Sequence, residues 1–183
     1  TLDLMQVEKN WTLFIDRDGV INEETVGEYI LHWDQFIFSK GVLQSFKKLS
    51  DVFGKLILVT NQRGVGKGLM TREALDTIHF EMQREVGIAG GHIDEILFCT
   101  DVNATSFNRK PNPGMAFRAK QEFPEIDFSK SIMVGNKPSD MRFGRAAGMF
   151  TVFLATTNPD QPFPHPDIDL RFSSLAEFAA ALP

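Results

Sequence analysis

Asp16 and Asp18 stand two residues apart at the end of the apolar run Trp11–Ile15, and Gly19 follows them directly. Two carboxylates this close, at the carboxyl end of a buried strand, are costly. Each loses hydration and each repels the other. A hard cation that prefers oxygen ligands offsets both penalties. Three further polar clusters fall between strand and helix candidates: Thr60-Asn61-Gln62-Arg63, Asn108-Arg109-Lys110-Pro111 and Gly135-Asn136-Lys137-Pro138-Ser139-Asp140. Together the clusters supply acids, hydroxyls, amides, lysines and arginines. Phosphoryl transfer uses such a set: an oxygen nucleophile, a cation to neutralise charge, and fixed donors for the equatorial oxygens.

These residues meet only if the elements bring them to one place. Strand candidates are Thr12–Ile15, Leu56–Thr60, Glu95–Cys99, Ser131–Val134 and Thr151–Leu154, with Asp169–Phe172 as a short edge strand. Helix candidates are Val42–Leu49, Arg72–Val86, Gly114–Glu122 and Ser139–Ala147. In the second of these, Leu75, Ile78, Met82 and Val86 share one face, and Thr71 is placed to cap its start. Gly148 is placed as a C-cap. Ser174-Leu175-Ala176-Glu177 reads as a capping box that opens a final helix ending near Leu182. Strand and helix alternate, which implies an α/β fold: a parallel sheet with helices on both faces. In such a sheet every strand's carboxyl end lies on one edge, beside Asp16 and Asp18.

Composition narrows the class. The chain of 183 residues is long enough for one domain with a full core. A net charge of −5 argues against general attraction to nucleic acid. No apolar run is long enough to span a bilayer, and no signal peptide is evident. A single cysteine, Cys99, rules out an internal disulfide and points to the cytoplasm. A monomer is the default expectation. Most of the 17 Phe read as packing. His32, His79, His92 and His165 show no ligand spacing and read as surface or packing residues. The stretch Gly64–Gly68 lacks the spacing of a P-loop, and no Ser or Thr follows Lys67. It reads as a mobile loop over the crevice. Thr156–Pro166 holds four prolines and reads as an irregular surface connection.

The order DxDG, TN, Lys and GNxxSD resembles the haloacid dehalogenase (HAD) superfamily of aspartate-nucleophile phosphatases. DRDGVIN, TNQRGVGKG and RKPNPGM are similar to the branch containing the heptose-bisphosphate phosphatases and the histidinol-phosphate phosphatase domain. The likeness covers roughly Thr12 to Leu154. It implies a three-layer, Rossmann-like HAD fold and a Mg²⁺-dependent phosphomonoester hydrolase. By the resemblance, Asp16 is the nucleophile and Asp18 the general acid and base. Thr60 and the Asn61 amide hold a phosphate oxygen, and Lys110 neutralises charge. Gln62, Arg63 and Arg109 face substrate. The metal ligands implied are Asp16, the Asp18 carbonyl, Asn136 and, through water, Asp140. The substrate implied is a small phosphorylated metabolite: a sugar bisphosphate of the D-glycero-D-manno-heptose 1,7-bisphosphate type, or histidinol phosphate.

The chain departs from the family pattern at two places. Asn136 stands where the family carries a metal-ligating Asp, so one full negative charge is missing. For two unit charges about 4 Å apart, at an effective dielectric of roughly 20, that is about 4 kcal/mol. Weaker Mg²⁺ binding is expected. The alternative expectation is a weakly active or inactive phosphate-binding relative. Secondly, the branch's zinc loop carries Cys-x-His and Cys-x-Cys, where this chain has Cys99-Thr100-Asp101 and Ser106-Phe107-Asn108; only Cys99 survives, and one thiol does not build a four-coordinate site, so structural zinc is not expected. Phe107 is the expected anchor of that loop. Neither Asn22–Gly41 nor Arg63–Thr71 is long enough for a separate cap domain. The crevice is therefore expected to be open, with Glu23, Glu24, Glu28 and Tyr29 at its margin as hydroxyl ligands or a shield.

Overall fold

The computed structural model describes residues 1–183. Six strands form one parallel sheet: β1 (Thr12–Ile15), β2 (Lys55–Asn61), β3 (Glu95–Cys99), β4 (Ser131–Gly135), β5 (Phe150–Leu154) and β6 (Leu170–Phe172). Their order across the sheet is β3-β2-β1-β4-β5-β6. The chain thus builds outward from β1 on one side, then returns to β1's other side with β4. That reversal is the topological switch point at which open α/β sheets bind ligands. The register pairs Ile15 with Leu58 on one side and with Val134 on the other. The residues just beyond these strand ends therefore emerge side by side.

Alternate strand residues build two cores. Leu13, Ile15, Leu58 and Val134 pack in one cluster with Phe46, Leu75, Ile78 and Phe178. The intervening residues Phe14, Val59 and Met133 pack in the other with Met115, Ala119 and Phe143. Helices α1 (Val42–Val52), α3 (Arg72–Ile88) and α6 (Leu175–Ala180) thus cover one face, and α4 (Gly114–Glu122) and α5 (Pro138–Ala147) the other. Thr71 caps α3 by accepting from the Ala74 amide at 3.0 Å. Gly148 ends α5 in the left-handed conformation, φ 92°. Ser174 caps α6 through the Glu177 amide, while the Glu177 carboxylate reaches back to the Ser173 amide rather than to Ser174.

One segment differs from expectation. Gly64–Gly68 is not a free loop, because Arg63–Gly66 forms a helical turn, α2, continued by the Lys67 and Gly68 amides bonding back to Arg63 and Val65. Gly66 has no room for a side chain: a Cβ there would collide with the Thr100 carbonyl oxygen. The turn is packed against the end of β3, which removes the freedom that a Gly-rich sequence suggests. Between Asn22 and Gly41 the only regular element is a short 3₁₀ turn, Trp33–Gln35. No helix is long and apolar enough to cross a membrane.

Candidate active site

Lys110 is the hub of the sheet edge. Its Nζ donates to Asp16 Oδ1 at 2.9 Å, to Asp140 Oδ1 at 2.7 Å and to the Val59 carbonyl at 2.9 Å. An ammonium has three protons, so each is used. All three residues are at most 5 % exposed. Lys110 is carried there by the loop after β3, and Asn61 fixes that loop. The Asn61 amide donates to the Lys110 carbonyl and accepts from the Lys110 amide, at 3.1 and 3.0 Å. Burial alone would lower the lysine's pKa, but the charges of Asp140 and Asp16 outweigh it and raise it. For Asp16, burial and the neighbouring Asp140 raise the pKa against the pull of Lys110. Two carboxylates share one ammonium, so the cluster keeps a net negative charge.

Asp18 is held from behind. Arg17, wholly buried, donates through Nη2 and Nε to Asp18 Oδ1 at 2.8 and 3.1 Å, and Asn22 Nδ2 adds a third bond at 2.9 Å. Oδ2 accepts from Gln62 Nε2 at 3.1 Å, and Gln62 also bonds Thr60 Oγ1. Burial would raise the Asp18 pKa, but the Arg17 guanidinium and these hydrogen bonds hold it below the usual carboxylate range. Gln62, expected to face substrate, is instead 3 % exposed and spends its amide on Asp18 and Thr60.

His79 is the partner that simple spacing did not reveal. Its Nε2 lies 3.1 Å from Arg17 Nη1. Arg17 has no acceptor, so the imidazole accepts there and is neutral at that nitrogen. Burial, with the Arg17 charge second, drives its pKa down to about 3 despite the opposing pull of Asp18. The consequence for stability has a definite sign. An unfolded histidine titrates near 6.5 and the folded one near 3, so the unfolded chain binds the extra proton between these values. His79 thus adds nothing to the pH dependence above pH 6.5 and costs stability as pH falls below it. The limiting slope is about 1.4 kcal/mol per pH unit. Urea unfolding of the parent and of His79→Gln at pH 7 and pH 5.5 should show this extra slope in the parent alone; parallel slopes would count against it.

The remaining residues lie as follows. Arg63, in α2, and Arg109 line an open crevice of about 460 Å³ together with Asp18, Lys110, Lys137 and Arg142. Both arginines keep a buried Nε without a protein partner. The Lys67 ammonium, 5.3 Å from the Tyr29 ring, with Arg63 and Arg109 beyond it, lowers the Tyr29 pKa. The rim is therefore electropositive although the chain is acidic. Asp140, expected to reach a metal through water, has both oxygens engaged: Oδ1 by Lys110, Oδ2 by the amides of Asn136 and Lys137 at 3.0 and 3.2 Å. The Asp101–Asn108 loop is tied by Arg109 Nη1 to the Val102 carbonyl, by Asn112 to the Ser106 carbonyl, and by Phe107 stacking on Phe117 at 6.0 Å.

The donor set suits a hard divalent ion. Asn136 is fully buried, and its Oδ1 has no protein partner. The Asp18 carbonyl receives no protein hydrogen bond. With Asp16 these offer oxygen ligands to a cluster short of one positive charge. No three His, Cys, Asp or Glu side chains are grouped to hold a metal by themselves, so such an ion needs carbonyl, amide and water oxygens too.

Comparison with known proteins places the chain in a family. Residues 107–168 match the family model described as HAD-hydrolase-like. The chain is 34 % identical over 173 residues to the D-glycero-alpha-D-manno-heptose-1,7-bisphosphate 7-phosphatase of Mycobacterium bovis, covering 94 % of this chain and 91 % of that one. It is 33 % identical over 179 residues to the D-glycero-beta-D-manno-heptose-1,7-bisphosphate 7-phosphatase of Yersinia pestis, covering 93 % and 94 %. The structure of D,D-heptose 1,7-bisphosphate phosphatase from B. bronchiseptica, complexed with magnesium and phosphate, superposes with a TM-score of 0.84 at 27 % identity, covering 93 % of this chain and 96 % of that one. The chain belongs to the HAD-like hydrolases and is a phosphatase of that family.

Proposed function

We infer that the chain is a Mg²⁺-assisted phosphatase of D-glycero-D-manno-heptose 1,7-bisphosphate that works through a phosphoryl group carried on Asp16. The observation that carries this is the Asp16–Lys110 contact of 2.9 Å at the sheet's switch point, opening on a cationic crevice. Asp16 attacks phosphorus, and the bond to the sugar oxygen breaks. Asp18, ionised in the resting site, takes up a proton at Oδ2 from the bound phosphomonoester or from solvent and gives it to that leaving oxygen. It then takes one from water, which attacks phosphorus and frees Asp16. Thr60 and the Asn61 backbone amide hold a phosphoryl oxygen, while Lys110 offsets the charge that builds there. Asp16, the Asp18 carbonyl and Asn136 would hold Mg²⁺, which supplies charge neutralisation at the phosphoryl oxygens.

Arg63 and Arg109, each with an unspent Nε, are the residues for the substrate's second phosphate. That favours a bisphosphate over histidinol phosphate. The similar proteins are named for both anomers, so the anomer is left to experiment. The same reading takes the protein as a cytoplasmic monomer without structural zinc, since hydrogen bonds already tie the loop after Cys99.

Phosphate release from both heptose bisphosphates, histidinol phosphate and simple sugar monophosphates tests the reading. At least one heptose bisphosphate should have a kcat/KM about tenfold or more above the other compounds, the worth of one charged contact. Equal or better turnover of histidinol phosphate would contradict it.

A further inference from the structure

An asparagine at position 136 raises a question of orientation that an aspartate would not. A carboxylate presents oxygen at both ends. An amide presents oxygen at one end and two N–H donors at the other. Turned the wrong way, Asn136 would aim those donors at a cation.

Glu24 sits where it decides this. Asn136 Nδ2 donates to Glu24 Oε1 at 3.2 Å and to Thr157 Oγ1 at 2.6 Å. A hydroxyl both accepts and donates, so Thr157 alone would tolerate either orientation. An ionised carboxylate only accepts, so Glu24 admits the nitrogen and rejects the oxygen. Glu24 is itself anchored: its side chain is 10 % exposed, and Oε2 takes a bond from Lys137 Nζ at 2.8 Å. The Asn136 backbone is fixed too, its amide on Asp140 Oδ2 and its carbonyl on Asn158 Nδ2. Gly19 closes the arrangement against the Asp18 turn. With φ at 85°, its missing Cβ would collide with Asn136 Nδ2 and fall 3.0 Å from Glu24 Oε1. What remains is Asn136 Oδ1, buried and without a protein partner.

We propose that Glu24 is a positioning residue: by taking the amide nitrogen of Asn136, it turns Oδ1 toward the divalent cation and lets an asparagine serve as a metal ligand. Asp140 is already bonded to Lys110 and two amides, whereas Asn136 Oδ1 has no protein partner. The inference rests on the reading of Asp16 and its neighbours as a divalent-cation site, and deepens it.

The test is a cycle of Mg²⁺ affinities without substrate, by titration calorimetry and, with Mn²⁺, by electron paramagnetic resonance. Glu24→Ala should weaken binding about 10–100-fold, the usual effect of removing a group that orients a metal ligand. In an Asn136→Asp background the same change should matter by less than about twofold, because either end of an aspartate is oxygen. If circular dichroism shows that Glu24→Ala does not fold, Glu24→Gln takes its place in the cycle. The glutamine's smaller loss should again vanish in the Asn136→Asp background. An equal loss in both backgrounds would mean that Glu24 acts by charge alone and would overturn the proposal, as would an unchanged affinity in Glu24→Ala. A parent protein that binds neither ion would overturn the metal-site reading, and this inference with it.

Discussion

Lys110→Met is expected to lower the unfolding free energy by about 3–5 kcal/mol, the range for removing one partner of a buried charge cluster. It should also lower kcat by about 10²–10³ or more, the cost of losing one fixed donor to the developing charge. Methionine matches the length of the lysine stem but leaves Asp16 and Asp140 as two buried carboxylates with no ammonium between them. The two effects are separable. Adding Asp140→Asn removes one of the anions and should return a large part of the stability, while activity stays low because the phosphoryl group still lacks its lysine. Urea unfolding and single-turnover kinetics on the single and double variants check this. A Lys110→Met protein of parental stability, or a double variant with recovered kcat, would contradict the role given to Lys110.

Asp16→Asn should be the most damaging change to catalysis, at least about 10⁴-fold in kcat; loss of a nucleophile in other covalent enzymes reaches about 10⁶. The amide is isosteric and keeps an oxygen near Lys110, but it does not displace an alkoxide from phosphorus. Stability should change little or rise, because one of two buried carboxylates sharing Lys110 is neutralised. Measuring phosphate release alongside urea unfolding distinguishes a lost nucleophile from a lost fold. Residual turnover above about 1 % of the parent would point to a different attacking group.

The strand ends were legible in the sequence because a strand buried on both faces is apolar without interruption. Thr12–Ile15, buried at every residue, has the bounds that its pattern suggests, and so does the half-buried edge strand Glu95–Cys99. Loops that leave the carboxyl ends of such strands start at one sheet edge, which is why Asp16, Lys110 and Asn136 come together beside Thr60 near the end of β2. What lies behind the site was not legible. Arg17 is flanked by two acids in sequence, yet nothing local says that it is wholly buried with its charge spent on Asp18. His79 falls on the same face of α3 as Leu75, Ile78 and Met82, so its burial follows from helical spacing. Its partner does not, because Arg17 is 62 residues away in the chain. Glu24 resembled a margin acid for the same reason, since Asn136 lies 112 residues further on. For Gly64–Gly68, composition misled: Gly66 serves a close approach to Thr100, and Gly68 takes a left-handed turn at φ 73°.

The central claim is that Asp16 carries the phosphoryl group. Rapid acid quench of the parent enzyme during turnover of a heptose bisphosphate, followed by mass spectrometry of the peptide containing Asp16, tests it most directly. The account predicts one added phosphoryl group on Asp16 that forms within the first turnover and is absent from Asp16→Asn. A phosphoryl group on another residue, or formation slower than steady-state turnover, would contradict it.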